Sequence, residues 1–166
     1  SVALCFDDAW ASLWTVVAPL LKKYGLQAIT YAIPGRTVEA GSLRPTLNDP
    51  GWEPHSPDRS ATPFATWGEL RALQTSGVVD VQAHTFWHGM VFCDSEILGF
   101  VEPGFQRHPH LYPMIADGKG GRFLTPDDLG APLYTQRSRM SDALRFDHPS
   151  AREACLRRVR EDGGTA

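Results

Sequence analysis

The first half of the chain alternates short apolar runs with helical patterns, and this alternation limits the folds it can adopt. Residues 1–6, 28–33 and 78–83 are runs rich in strand-forming side chains. Between them, residues 10–24 and 66–76 carry apolar side chains at three- and four-residue steps. Such alternation predicts parallel strands joined by crossover helices, and therefore an α/β fold.

The limits of the two helices can also be predicted. Gly25 is expected to end the first helix, and Pro19 is expected to kink it. Thr66 and Glu69 have the spacing of a capping box at the start of the second helix, and Gly77 is expected to end that helix.

Polar side chains follow the first and third predicted strands. Asp7 and Asp8 end the first strand, and His84 and His88 follow the third. The carboxyl ends of parallel strands meet at one edge of a sheet, where α/β proteins place their chemistry. Two imidazoles and one carboxylate can hold a divalent metal, and a second carboxylate can accept a proton from a metal-bound water. Taken separately, the aspartates could be a turn or a helix cap, and the histidines a surface coincidence.

These residues also carry a resemblance. Residues 2–9, Val-Ala-Leu-Cys-Phe-Asp-Asp-Ala, resemble the first motif of the NodB-type polysaccharide deacetylases, carbohydrate esterase family 4. That motif usually reads Thr-Phe-Asp-Asp-Gly, so Cys5 and Ala9 are departures from it. Residues 84–88, His-Thr-Phe-Trp-His, match the second motif, His-Ser/Thr-x-x-His.

The resemblance implies a fold and a set of roles. The fold would be a distorted (β/α) barrel of the polysaccharide deacetylase type, here a partial barrel. Asp7 would be the catalytic base, and the ligands of one divalent metal would be Asp8, His84 and His88. The metal would be zinc, with cobalt, nickel or manganese as alternatives, and the substrate an acetylated glycan.

The resemblance is confined to residues 1–89. The family's later motifs supply an arginine that orients the base, a hydrophobic wall and a histidine general acid, and none of these can be placed. Residues 107–109, Arg-His-Pro, fit a proline-rich surface loop better than the family's Arg-x-Pro motif, and residues 147–149, Asp-His-Pro, fit a turn better than its Leu-x-His motif. We predict one domain over residues 1–166, an incomplete one, with an insertion-like, loop-rich segment at 90–145.

The remaining predictions concern single side chains. Trp10 and Trp87 adjoin the two motifs and are candidates for contact with sugar rings, with packing as the alternative. Cys5, Cys93 and Cys155 are widely spaced, which indicates buried or free thiols rather than a disulfide framework. A short helix is expected over residues 150–161 with Ser150 as its cap.

Charge and hydropathy exclude some classes of partner. The net charge is −3 with acids and bases interspersed, so we expect no nucleic-acid surface. No apolar run approaches the roughly 20 residues that span a bilayer, and no signal peptide is visible. The resemblance suggests an exported or envelope location, while the sequence itself leaves location and oligomeric state open.

The leading hypothesis is a metal-dependent polysaccharide N-deacetylase, a hydrolase of carbon–nitrogen bonds other than peptide bonds. Two alternatives remain open. One is a glycan-binding or structural relic of the same fold. The other is a deacylase of O-acetyl or other amide substrates.

Overall fold

The structure is a computed structural model that describes residues 2–53, 60–105, 113–115, 122–140 and 146–163. Contacts between residues divide the chain into two compact units, Ser1–Trp87 and His88–Ala166. Each unit has its own sheet, and the two are described in turn.

The first unit is built on a parallel sheet of three strands. β1 (Leu4–Asp8), β2 (Ala28–Ala32) and β3 (Val79–Ala83) lie in the order β1-β2-β3. Both pairings are parallel and in simple register. The predicted fold class, α/β with a partial barrel of parallel strands, is confirmed.

The first predicted helix is interrupted before Pro19. A π-helical turn at Leu13–Val17 leads into α1 (Ala18–Tyr24), and Gly25 ends α1 in the left-handed conformation with φ 64°. Proline has no N–H, so Pro19 cannot donate to the carbonyl of Thr15 one turn earlier. Instead, the backbone N–H of Leu47 donates to that carbonyl at 2.8 Å. A long loop therefore completes the hydrogen bonding of this helix.

The second predicted helix is confirmed at both ends. α2 (Trp67–Ser76) begins with a capping box in which the hydroxyl of Thr66 accepts from the Glu69 N–H and the Glu69 carboxylate accepts from the Thr66 N–H. Gly77 ends α2 with φ 69°, a conformation that glycine adopts without steric cost.

The apolar core of the first unit lies between the helices and one face of the sheet. Burying these side chains removes their apolar surface from water, which is the main force that holds sheet and helices together. The core includes Ala9, Leu13, Leu21, Ala28, Ala32, Ala65, Leu70, Leu73 and Val79, with Leu4, Phe6 and Val81 packed against it.

The second unit contains a four-stranded mixed sheet. β4 (Met90–Phe100), β5 (Pro113–Ile115), β6 (Arg122–Phe123) and β7 (Pro132–Ser138) lie in the order β6-β5-β4-β7. The prediction of a loop-rich segment was wrong for these residues. Register shifts in the β4–β7 pair break the simple alternation that identifies a strand, and β5 and β7 both begin at a proline.

One helix follows this sheet. α3 (Pro149–Glu161) begins one residue earlier than predicted, and its cap is His148, whose Nδ1 accepts from the Ala151 N–H at 3.2 Å. The prediction of Ser150 as the cap was wrong because Pro149 occupies the first helical position. Within the described ranges, no helix combines the length and apolar character needed to cross a bilayer.

Candidate metal centre

The three strand ends of the first sheet bring the predicted ligands to one edge. Asp8 is the last residue of β1 and is in register with Ala32, the last residue of β2. The backbone N–H of His84, just after β3, donates to the carbonyl of Ala32 at 2.7 Å. Asp8 and His84 therefore lie on either side of one β2 residue, as expected for parallel strands.

The side chains of the predicted ligands converge. One ligand atom from each of Asp8, His84 and His88 lies within 4.8 Å of the other two. The distance from His84 Nε2 to Asp8 Oδ1 is 3.9 Å, too long for a hydrogen bond. Two imidazoles and one carboxylate form a donor set suited to zinc and related divalent ions, and three protein donors leave coordination positions for water and substrate. The residues present therefore fit a divalent metal.

Burial differs between the two donors contributed by the sheet edge. The side chain of Asp8 is 12% exposed and that of His84 is 30% exposed. A mostly buried carboxylate provides a fixed negative charge for a cation, while the imidazole faces solvent.

The backbone at these residues is strained. Asp8, Ala9 and His88 have φ values of 68°, 51° and 48°. For residues with a side chain, this left-handed region costs roughly 1–2 kcal/mol each. Asp8 and Ala9 form one sharp turn directly after β1. Ala9 stands where the related motif has glycine, so the chain keeps the glycine conformation with an alanine in it.

Asp7 lies on the other face of β1 from Leu4 and Phe6, which pack into the core. It is exposed, and its register partner on β2 is Tyr31. The Tyr31 ring meets the His84 ring edge to face, with centroids 6.4 Å apart. Tyr31 thus lies between the predicted base and a predicted ligand. The sequence did not identify Tyr31, although register between parallel strands of equal length could have found it.

Cys5 is on the same face as Asp7, and its thiol is exposed and free. The sequence left open which side of the strand Cys5 occupies, and the free thiol agrees with the prediction of buried or free thiols. Its charge when ionised and its hydrogen bond raise the pKa of Tyr31, with smaller contributions from burial and from the Asp7 and Asp80 carboxylates.

The two candidate tryptophans have different surroundings. Trp10 is half-buried, and its ring lies 4.8 Å from that of Phe64. Trp87 is 37% exposed and meets the 60% exposed Phe86 edge to face. The Trp87 indole also lies over Gly35, where an added Cβ would approach it to 2.6 Å. Trp87 is partly exposed and directly precedes His88 in the chain, whereas Trp10 packs on Phe64.

Two segments are weakly similar to the later motifs of the family. Residues 107–109 lie outside the described residues. His148 is the N-cap of α3, with its Nδ1 accepting a backbone hydrogen bond. The turn predicted at 147–149 is not found, because α3 begins at Pro149 and His148 is its cap.

Comparisons with known proteins give a family and two structural likenesses. The profile of the family described as polysaccharide deacetylase matches residues 1–99. A de-N-acetylase from Aggregatibacter actinomycetemcomitans is 23% identical with a TM-score of 0.42, over 72% of this chain and 40% of that one. The BpsB deacetylase domain from Bordetella bronchiseptica is 25% identical with a TM-score of 0.42, over 72% and 41%. The chain thus spans about two fifths of these solved structures. A search among curated proteins found no match.

Proposed function

The chain belongs to the polysaccharide deacetylase family, and from that premise we propose that it provides the metal-binding and proton-accepting half of a deacetylase site acting on N-acetylated glycans. The observation that carries the proposal is the convergence of Asp8, His84 and His88 at one strand edge. The adjacent Asp7 is a carboxylate outside that donor group.

In this proposal Asp8, His84 and His88 hold one divalent ion, with zinc as the first choice. Such an ion acidifies a bound water and polarises an acetyl carbonyl. The chain's own contribution is to fix the donors before the ion arrives. The hydrogen bond from the His84 N–H to the Ala32 carbonyl and the left-handed turn at Asp8 both hold the donor side chains in position.

Asp7 is proposed as the general base. Its carboxylate would accept the proton of the attacking water, and the proton would then pass to the departing amine nitrogen. The exposure of Asp7 on the open face of β1 leaves room for water and substrate beside it. Trp87 is proposed to contact a sugar ring through its accessible aromatic face, and Trp10 is the weaker candidate because it packs on Phe64.

Metal binding is the first test. We expect the chain to bind one equivalent of Zn²⁺ in isothermal titration calorimetry. Asp8→Ala, His84→Ala and His88→Ala should each abolish measurable binding, because two remaining donors form a poor site. His148→Asn is the matched control, since it removes a histidine but keeps a residue that caps helices well. Wild-type affinity in all three ligand variants would contradict the assignment.

The base is tested separately from the metal. Asp7→Asn should retain Zn²⁺ binding and lose about 10²–10⁴-fold in acetate release from chito-oligosaccharides, the usual contribution of a positioned general base. Full turnover in Asp7→Asn would exclude Asp7 as the base. Zinc binding without acetate release by the wild-type chain, on N- or O-acetylated glycans, would favour a binding relic of the fold.

A further inference from the structure

The strained turn at Asp8 and Ala9 is held by a neighbouring segment. Phe64 forms an antiparallel bridge with Trp10, directly after the turn. The Ala65 N–H donates to the Ala9 carbonyl at 2.7 Å, and the Ala11 N–H donates to the Pro63 carbonyl at 2.8 Å. Backbone in the left-handed region persists when its surroundings fix it from several sides. Residues 63–65 supply that restraint for the turn.

The same segment is held from another direction by one arginine. Arg44 donates from Nη1 to the Thr62 carbonyl at 2.9 Å and from Nη2 to the Phe64 carbonyl at 2.8 Å. The two carbonyls are two residues apart, so one guanidinium donates hydrogen bonds to alternate peptide groups of the segment. A single side chain thereby sets the position of the backbone that pairs with the turn.

The guanidinium is in turn fixed to α2. Arg44 Nε donates to Glu69 Oε1 at 2.8 Å, and Nη2 donates to Oε2 at 2.5 Å. The Glu69 side chain is fully buried and also accepts from the Thr66 N–H in the capping box. Burial acts to raise the pKa of Glu69, but the hydrogen bonds from Arg44 and from backbone N–H groups hold it below its usual value. The carboxylate therefore remains charged at neutral pH.

The backbone of Arg44 is anchored as well. Its carbonyl accepts from Trp14 Nε1 at 2.8 Å, and its N–H donates to Glu69 Oε1 at 3.1 Å. Arg44 belongs to the loop that connects β2 to α2. This loop residue is tied to the first helical segment, to α2 and to residues 62–64.

From this chain of contacts we infer that Arg44, paired with Glu69, is a positioning residue for the Asp7-Asp8 turn and so for the metal site. Its consequence for the metal rests on the function proposed above. The planar guanidinium meets the Glu69 carboxylate with two parallel hydrogen bonds while holding two carbonyls. A lysine ammonium carries the same charge but lacks the planar, forked set of N–H donors, so it could make only some of these hydrogen bonds.

The test compares two arginines that each make a two-pronged contact with a glutamate. Arg44→Met removes the buried pair, and Arg44→Lys keeps only its charge. Arg71→Met is the matched control, because Arg71 on α2 binds Glu39 at 3.2 and 3.0 Å on the surface. The readouts are amide hydrogen exchange in the metal-free chain and the Zn²⁺ dissociation constant. Both are measured at a temperature where circular dichroism shows every variant folded.

We expect Arg44→Met to speed exchange at the Ala11 and Ala65 amides at least about tenfold, and to weaken Zn²⁺ binding by a similar factor, as seen when groups supporting metal ligands are removed. Exchange at the Ala28 amide, which donates to Val78 at 3.0 Å across the far end of the sheet, should stay as in wild type. Arg44→Lys should be intermediate, and Arg71→Met should change neither readout.

Three results would overturn the inference. The first is wild-type exchange at Ala11 and Ala65 in Arg44→Met. The second is equally faster exchange at Ala28, which would indicate general destabilisation of the first unit. The third is unchanged Zn²⁺ affinity in a folded Arg44→Met. A wild-type chain that binds no Zn²⁺ would refute the proposed function instead. In that case the exchange data on the metal-free chain still decide whether Arg44 holds the turn.

Discussion

At the residue scale, Ala9 stands where the family's first motif has glycine, and its backbone adopts a conformation that suits glycine. The residue is buried and keeps φ 51°, the conformation that a glycine at this place would adopt freely. Its methyl group contributes to the core, which offsets part of the strain. The strained turn contains Asp8 and directly follows Asp7, and strained backbone commonly occurs at functional sites.

We predict that Ala9→Gly is nearly neutral for stability. Relief of left-handed strain, roughly 1–2 kcal/mol, is offset by a lost methyl contact of about 0.8 kcal/mol and by the greater freedom of glycine in the unfolded chain, about 0.4–1 kcal/mol. The free energy of unfolding, from urea denaturation, should stay within about 0.5 kcal/mol of wild type.

Ala11→Gly is the control for that prediction. Ala11 is equally buried but lies in the first helical turn, where glycine relieves no strain. It should lose about 1.5–2 kcal/mol, the sum of helix propensity and burial. Equal losses in Ala9→Gly and Ala11→Gly would mean that the turn at Ala9 carries no strain.

At the element scale, the parallel strands and the caps of the two helices between them were the predictable part of the fold. Gly25, Thr66 and Gly77 act through contacts within a few residues of themselves, so their effect is visible in the sequence. β4 could not be predicted in the same way. Its middle reads Asp-Ser-Glu at 94–96, and its pairing with β7 joins residues that are 32 to 48 positions apart.

Capping of α2 leads to a pH prediction. The pKa of Glu69 is lowered on folding, so its ionised form contributes stability above about pH 4.5, the usual value. That contribution is lost as pH falls through the lower pKa of the folded state. Glu69→Gln should reduce the free energy of unfolding at pH 7 by roughly 2–4 kcal/mol, because it breaks a buried ion pair.

The pH dependence distinguishes that ion pair from simple packing. Urea denaturation between pH 3.5 and 7 should show the gap between wild type and Glu69→Gln closing below about pH 4.5. Glu39→Gln, which removes a surface partner of Arg71, is the comparison and should leave the curve close to wild type. A gap that stays constant with pH would argue against a charge-dependent role for Glu69.

At the scale of the whole molecule, the group of predicted donors could be found from the sequence, whereas the contacts that support it could not. The convergence of Asp8, His84 and His88 could be predicted because parallel topology brings strand ends together, whatever the details of packing. Arg44 could not, since its importance depends on Glu69, 25 residues away, and on two backbone carbonyls that no side-chain pattern reveals. The order of strands along the chain thus predicts which side chains converge, while the contacts that support them are visible only in the tertiary structure.

The fixed donor group predicts a metal-dependent stability for the chain. A ligand that binds only the folded state adds about 2.7 kcal/mol when its free concentration is 100 times its dissociation constant. For a chain of this size, this corresponds to a rise of about 5–10 °C in the unfolding transition that reports on the first unit. Differential scanning calorimetry with Zn²⁺, followed by EDTA to reverse the shift, measures it directly.

The pH dependence of that shift tests which residues produce it. A histidine must be deprotonated to ligate a metal, so the Zn²⁺-induced rise should be smaller at pH 5 than at pH 7.5. His84→Ala should remove the rise at both pH values, and His148→Asn should keep it. If His84→Ala kept the full shift, Zn²⁺ would be binding elsewhere on the chain. A shift equal at pH 5 and 7.5 would indicate a site made of carboxylates alone, because ligation by histidine or cysteine releases protons when Zn²⁺ binds across that range.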